Sequence, residues 1–198
     1  MKPTTLPEKN LLSRDGEIFF FPELFTEKES ARFFASLRDD IEWKLEPVVI
    51  FGRKIMQPRL TAWFGSSDYS YSGITMKPHA WTGTLLQIKR RIEPLAGVIF
   101  TSALLNQYRN EKDSVGWHRD NEKELGRNPV IGSVSFGETR TFHLRHCRDK
   151  SLKKSIELTS GSFLLMRGET QHFWEHSIPK MSRPAGPRIN ITFRILPN

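Results

Sequence analysis

The stretch Arg188-Ile189-Asn190-Ile191-Thr192-Phe193-Arg194-Ile195 alternates polar and apolar residues without a fault. Alternation at period two belongs to a strand: one face takes Ile189, Ile191, Phe193 and Ile195, the other Arg188, Asn190, Thr192 and Arg194. Two readings of the polar face compete. It can be the solvated side of an amphipathic edge strand, or it can line the inside of a small barrel. There, two guanidinium forks would grip carboxylates bidentately.

The barrel reading needs more strands, and the chain offers them. From Val98 onward, β-rich runs cover 99–109, 115–119, 130–136, 140–146, 155–158, 162–166 and 188–195, divided by turn sequences such as Thr159-Ser160-Gly161. The N-terminal part is mixed. Ile18 to Phe21 reads as a short buried strand, and Thr26-Glu27-Lys28-Glu29 has capping-box spacing for a helix reaching about Asp39, with Phe33, Phe34 and Leu37 on its core face. Pro47 to Phe51 is β-branched and apolar, Gly52-Arg53-Lys54 turns, and Arg59 to Phe64 reads as another strand. Gly65 to Gly73 is a loop by composition, and 82 to 96 is a helix with Leu85, Leu86, Ile88, Ile92 and Leu95 apolar. The expected class is α+β: a double-stranded β-helix, the jelly-roll relative of the cupins, behind an N-terminal α/β region. Residues 1–15, without periodicity, read as a flexible arm. Residues 16–198 then form one domain, divided at about 97 into the α/β region and the jelly-roll core.

His118 and Asp120 stand two apart in Trp117-His118-Arg119-Asp120-Asn121-Glu122, so an extended chain points both from one face. An imidazole and a carboxylate side by side are half of the facial triad that holds Fe(II) with three positions open for O2. His176, in Trp174-Glu175-His176-Ser177, would be the third ligand. With these motifs the chain resembles the AlkB family of iron and 2-oxoglutarate dependent dealkylating dioxygenases, from about Phe51 to Arg194. The resemblance is carried by Leu105-Asn106-Gln107-Tyr108, His118-Arg119-Asp120, Ser133-Val134-Ser135-Phe136-Gly137, Trp174-Glu175-His176-Ser177 and Arg188 to Arg194, in that order and spacing. It is similar above all to the members that repair double-stranded DNA.

The resemblance implies a set of roles. His118, Asp120 and His176 hold Fe(II); Arg188 and Arg194 hold the carboxylates of 2-oxoglutarate, helped by Asn106, Tyr108, Asn190 and Thr192. O2 is consumed, 2-oxoglutarate leaves as succinate, and the N-alkyl carbon of a damaged base, as in 1-methyladenine or 3-methylcytosine, is hydroxylated and released as an aldehyde. Phe51, Gly52 and Arg53 match the hairpin finger that duplex-repairing members wedge into the base stack. By residue type alone Phe51 reads first as a core phenylalanine. Tyr69, Ser70 and Tyr71 match the nucleotide-recognition lid, where tyrosines sandwich a flipped base; packing beneath the loop is the plainer alternative. Asn121 and Glu122 match positions that reach the base, although family members often carry an acid where Asn121 stands. His172, four residues before His176, would pair with it only on a helix, and no further zinc-protease motif accompanies that pair. His143 and His146 fall on opposite faces of their strand, and His79 reads as a loop residue.

Charge bears on the partner. Against 22 Asp and Glu stand 30 Lys and Arg, a net +8 that favours polyanions such as alkylated DNA, with Lys89-Arg90-Arg91 and Lys150 to Lys154 as clusters that either track phosphates or serve as solvated faces. The single Cys147 excludes an intramolecular disulfide and suits a reducing compartment. The N-terminus carries no signal-peptide pattern, and no run approaches the ~20 apolar residues that cross a bilayer. The expectation is a soluble monomer that does not bind membranes, intracellular, cytoplasmic in a bacterium or nuclear in a eukaryote. Rival readings are the same oxygenase chemistry on RNA or protein, and a non-catalytic β-barrel that binds nucleic acid.

Overall fold

The computed structural model describes residues 5–7, 9–50, 53–65, 69–71 and 74–196. The N-terminal elements are β1 (Glu17–Phe21), α1 (Glu27–Asp40), β2 (Pro47–Ile50), β3 (Arg53–Met56), β4 (Leu60–Gly65), β5 (Tyr69–Tyr71), β6 (Ile74–Met76) and α2 (Gly83–Ala96). Then follow β7 (Ser102–Tyr108), β8 (Val115–His118), β9 (Ile131–Gly137), β10 (Arg140–His146), β11 (Lys153–Leu158) and β12 (Ser162–Arg167). The chain closes with α3 (Thr170–Phe173), β13 (Trp174–Ile178) and β14 (Arg188–Arg194).

β14 lies inside a six-stranded antiparallel sheet of order β1-β12-β9-β14-β7-β4, so the edge-strand reading of its alternation falls. A second sheet, β11-β10-β13-β8, faces it. The alternation is spent on two different neighbours. Ile189, Ile191 and Phe193 are fully buried against the helix layer, in a core with Phe33 and Leu37 of α1 and Leu85, Ile88 and Ile92 of α2. Arg188, Asn190, Thr192 and Arg194 are equally buried but point between the sheets, beside a second core holding Tyr108, Phe142, Leu144, Leu164, Met166 and Ile178. Burying one large apolar side chain stabilises by roughly 1.5–3 kcal/mol. A one-residue slip would therefore exchange three such gains for two guanidinium groups against the helices, and the register is fixed.

The capping box read at Thr26 to Glu29 is formed, and α2 has caps of its own. Thr26 caps α1: its hydroxyl accepts from the Glu29 N–H at 3.3 Å while the Glu29 carboxylate accepts from the Thr26 N–H at 2.9 Å. Thr82 caps α2 through the Leu85 N–H, and Gly97 ends it in the left-handed region at φ 70°. Phe33 and Leu37 are buried as expected of α1, whereas Phe34 is only partly so. Two local readings need correction. Tyr69 to Tyr71 is a strand, paired with β6, rather than part of a loop. β13, which carries His176, pairs with both β10 and β8 and was not read as a strand, because Trp174 to Ile178 does not alternate cleanly. The arm assigned to residues 1–15 is fastened from Asn10 onward: its side chain bonds Gly16 and Ile18, and Leu12 is buried.

Candidate active site

His118 ends β8, and its direction comes from an irregularity in the pairing with β13. His176 faces His118, but Ile178 faces Val115, so four residues of β8 span what three span on β13. This bulge brings Val115 and His118 to the same cavity, although their odd separation would part them on a regular strand. Trp117 is turned outward and is 42% exposed. The imidazole of His118 is then fixed: the carbonyl of Gly116, 2.8 Å from Nδ1, accepts a hydrogen bond from an Nδ1–H, which leaves Nε2 with the free lone pair.

Among the described residues, the ligand atoms of His118, Asp120 and His176 lie within 4.8 Å of one another. His118 Nε2 is 3.9 Å from Asp120 Oδ1, and the two imidazole rings are 4.3 Å apart between centroids. Phe142 stacks on His176 from below at 5.1 Å. The charge states suit a cation. Burial opposes ionisation of Asp120, yet Arg194, His176 and His118 overcome it and hold the carboxyl at about 2, well below its usual range. Burial, with the positive potential of His118, pushes His176 down to about 3, so this ring is neutral at physiological pH, the form that binds a metal. His176 Nδ1 is buried with no hydrogen-bond partner among the described residues, so the ring keeps coordinating capacity to spare. Two imidazoles and one carboxylate fit Fe(II).

The cavity continues from this triad along the inner face of β14. Its lining includes Arg59, Asn106, Tyr108, Ser133, Arg188, Asn190, Thr192 and Arg194. Arg194 Nη2 reaches Asp120 Oδ1 at 2.9 Å, both groups only 3% exposed, so this guanidinium sits at the triad. Arg188, six positions back along the strand, is at the other end. Its Nη2 donates to Ser135 Oγ at 2.9 Å, its Cζ lies 5.0 Å from the centre of the Tyr108 ring, and its Nε and Nη1 have no hydrogen-bond partner among the described residues. Burial lowers its pKa to about 10, with Tyr108 opposing, so it stays cationic at neutral pH. A buried cation with two unsatisfied donors is costly unless an anion completes it, and one carboxylate of a diacid would do so. Pairing of β14 with β7 sets Tyr108 beside Arg188 and Asn106 beside Asn190. Asn190 and Thr192 are engaged locally: the Asn190 amide donates to Ser133 Oγ and the Val134 carbonyl, and Thr192 donates to Asn190 Oδ1.

Several residues of the site carried no sequence signal. Arg59 is buried and its Nε donates to Asn106 Oδ1 at 2.7 Å. Ser133 and Ser135 stand within a matched motif but gained their partners only through the β9–β14 register. Arg140 was findable: it falls in phase with the inward Phe142 and Leu144. It is buried, its Cζ lies 5.3 Å from the centre of the Tyr108 ring, and it donates to the carbonyls of Asp113 and Pro179. Of the substrate-side candidates, Asn121 is exposed and Glu122 half-buried, and neither lines the cavity. Arg119 donates to the carbonyl of His172 at 2.9 Å, and His172 itself faces Asn128 rather than the triad. Tyr69, Ser70 and Tyr71 lie on β5, and Arg53 opens β3, whose pairing with β2 closes at Ile50 and Arg53. Phe51 and Gly52 lie outside the described residues.

Residues 17–194 match the family model described as the 2OG-Fe(II) oxygenase superfamily. The human alpha-ketoglutarate-dependent dioxygenase alkB homolog 3 is 39% identical over a match covering 95% of this chain and 73% of that protein. The mouse DNA oxidative demethylase ALKBH2 is 35% identical, over 96% of this chain and 85% of that one. Among solved structures, OsALKBH1 shares the fold at a TM-score of 0.66 and 17% identity, with 94% of this chain and all of that one covered. A match that runs through both sheets and every residue of the triad leaves one assignment: the chain belongs to the 2OG-Fe(II) oxygenase superfamily, in its AlkB branch, as a dioxygenase that works with Fe(II), 2-oxoglutarate and O2.

Proposed function

We propose that the protein removes alkyl groups from the nitrogen atoms of DNA bases, such as those of 1-methyladenine and 3-methylcytosine. The observation that carries this reading is the meeting of His118, Asp120 and His176 at the head of a cavity whose walls hold Arg194 near the triad and Arg188 at the far end. The names of relatives, one of them a DNA oxidative demethylase, supply the substrate class.

In this reading His118 Nε2, Asp120 and His176 hold the iron. Arg188 takes the carboxylate of 2-oxoglutarate remote from it, while Arg194 keeps Asp120 ionised and faces the carboxylate nearer the metal. When bound, the iron and 2-oxoglutarate supply oxygen activation coupled to formation of succinate, and the hydroxylated N-alkyl group leaves as an aldehyde. The protein's own part is to orient and to exclude water. Leu104, Phe142, Met166 and Ile178 supply the apolar part of the cavity lining, beside its polar and charged groups. Substrate enters from the side of the two hairpins, β2–β3 and β5–β6, which lie next to each other. We assign Phe51 to the wedge that replaces a base drawn out of a duplex, and Tyr69 and Tyr71 to its stacking partners. A polyanion also has a surface to meet: on the outer face of the second sheet, exposed Trp117 carries Arg145 at 4.2 Å and is flanked by Lys150, Lys153 and Lys154. Glu175, at 2.7 Å from Arg145, offsets one of these charges.

The test is turnover of methylated oligonucleotide with iron and 2-oxoglutarate. The expected result is loss of the methyl group with stoichiometric succinate; iron-loaded protein that leaves the base unchanged would reject the reading. Duplex, single-stranded and RNA substrates in competition separate DNA from RNA, and Phe51→Ala is expected to impair duplex repair most. A non-catalytic barrel instead predicts that His118→Ala leaves iron content unchanged.

A further inference from the structure

Gln171 is fully buried, although it is polar and lies in the single turn of α3. A buried amide is costly unless its atoms find partners, and here both do. Its Oε1 accepts the backbone N–H of Asp120 at 2.9 Å, and its Nε2 donates to Met166 Sδ at 3.5 Å. The next residues repeat the link, since Arg119 donates to the carbonyl of His172 at 2.9 Å. Two consecutive residues after β8 are thus stitched to two consecutive residues of α3, and His176 follows Gln171 by five positions. α3 is itself tied to β1 and the end of β12. Thr170 Oγ1 accepts from the Glu17 N–H and lies in hydrogen-bond reach of the carbonyls of Glu17 and Arg167, and a Cβ on Gly16 would come within 2.6 Å of that oxygen.

We propose that Gln171 is a positioning residue for the metal centre: it fixes the backbone of Asp120 relative to the strand that carries His176, so that carboxylate and imidazole are spaced for one ion before the ion arrives. Arg194 restrains the same aspartate from the carboxylate side. A carboxylate held by Arg194 alone can pivot about the guanidinium; a second anchor at its own N–H removes that freedom. Neither atom of the Gln171 amide faces the cavity, so the residue acts through Asp120 and not on co-substrate or base. The proposal rests on the reading of His118, Asp120 and His176 as ligands.

Gln171→Leu keeps the bulk and removes the acceptor. Mn(II) binding to the metal-free full chain is measured by calorimetry, Co(II) absorption reports ligand geometry, and thermal melting of the metal-free protein reports the fold. Removal of an outer partner of a metal ligand costs about 10- to 100-fold in metal affinity. That loss, with an altered Co(II) spectrum in protein still folded at the assay temperature, is expected. A lowered melting temperature with Mn(II) affinity and Co(II) spectrum like the parent's overturns the proposal, because it would make Gln171 a packing residue only. If Gln171→Leu does not fold, Gln171→Met, of similar length and with a weak sulfur acceptor, is judged by the same two readouts. Asp120→Ala is the control: Mn(II) binding that survives it rejects the ligand assignment itself, independently of Gln171.

Discussion

Two buried arginines divide the labour at the residue scale, and each can be probed alone. Arg188 presents unsatisfied donors into the cavity, so Arg188→Lys keeps the charge but loses the planar fork. A hydrogen bond to a charged group contributes roughly 1.5–3 kcal/mol, so the affinity for 2-oxoglutarate should fall about 10- to 100-fold by calorimetry while metal binding is retained. Titration of the site gives a second test. His176 is depressed from 6.5 to about 3, so below pH 6.5 the unfolded chain takes up a proton that the native protein refuses. Asp120, depressed from 3.8 to about 2, repeats the effect at lower pH. Both contributions have one sign: urea stability of the metal-free protein should decline as pH falls from 6.5 toward 3, and further toward 2. Stability that rises on acidification in that window would contradict the buried, neutral state of His176.

Elements place these residues, and here the sequence was legible only in part. β14 could be read because both of its faces are buried against different layers, which preserves strict alternation. The spacing of His118 and Asp120 gave the first half of the triad. What brings them to His176 was not legible: the bulge exists only where β8 meets β13, through pairing across 58 residues (176 − 118), and no local pattern encodes it. Gln171 was hidden for the same reason, since its partner is a backbone N–H supplied by tertiary packing. One glycine of the Ser133 to Gly137 motif has a physical explanation. Gly137 has φ 88°, faces Arg188 across the β9–β14 pair, and a Cβ there would collide with the Pro187 carbonyl and lie 2.7 Å from the Phe34 ring. Gly137→Ala should destabilise by about 1–3 kcal/mol and weaken 2-oxoglutarate binding by displacing Arg188, whereas Gly83→Ala, with open space at its Cβ, should do neither. Chemical denaturation and calorimetry read both effects.

Taken as a whole, the molecule separates chemistry from contact. The triad and the arginine-lined cavity lie between two sheets, the two hairpins pair outside those sheets, and positive charge collects around Trp117. On the proposed nucleic-acid reading, Lys153 and Lys154 meet phosphates and not bases. Each lost phosphate contact should reduce the slope of log affinity against log salt by roughly 0.9 on duplex DNA, so replacing both with alanine should flatten it by about 2. The turnover number at saturating DNA should stay unchanged; an unaltered slope would remove this face from the binding surface. The central strand also carries a consequence for co-substrate choice. Arg188 and Arg194 belong to one unbroken β14, hydrogen-bonded along both sides, so neither can shift toward the other. On the roles proposed for them, that strand is a measuring rod for diacids. A molecule one methylene shorter or longer would leave one of its charged ends without a guanidinium to meet it.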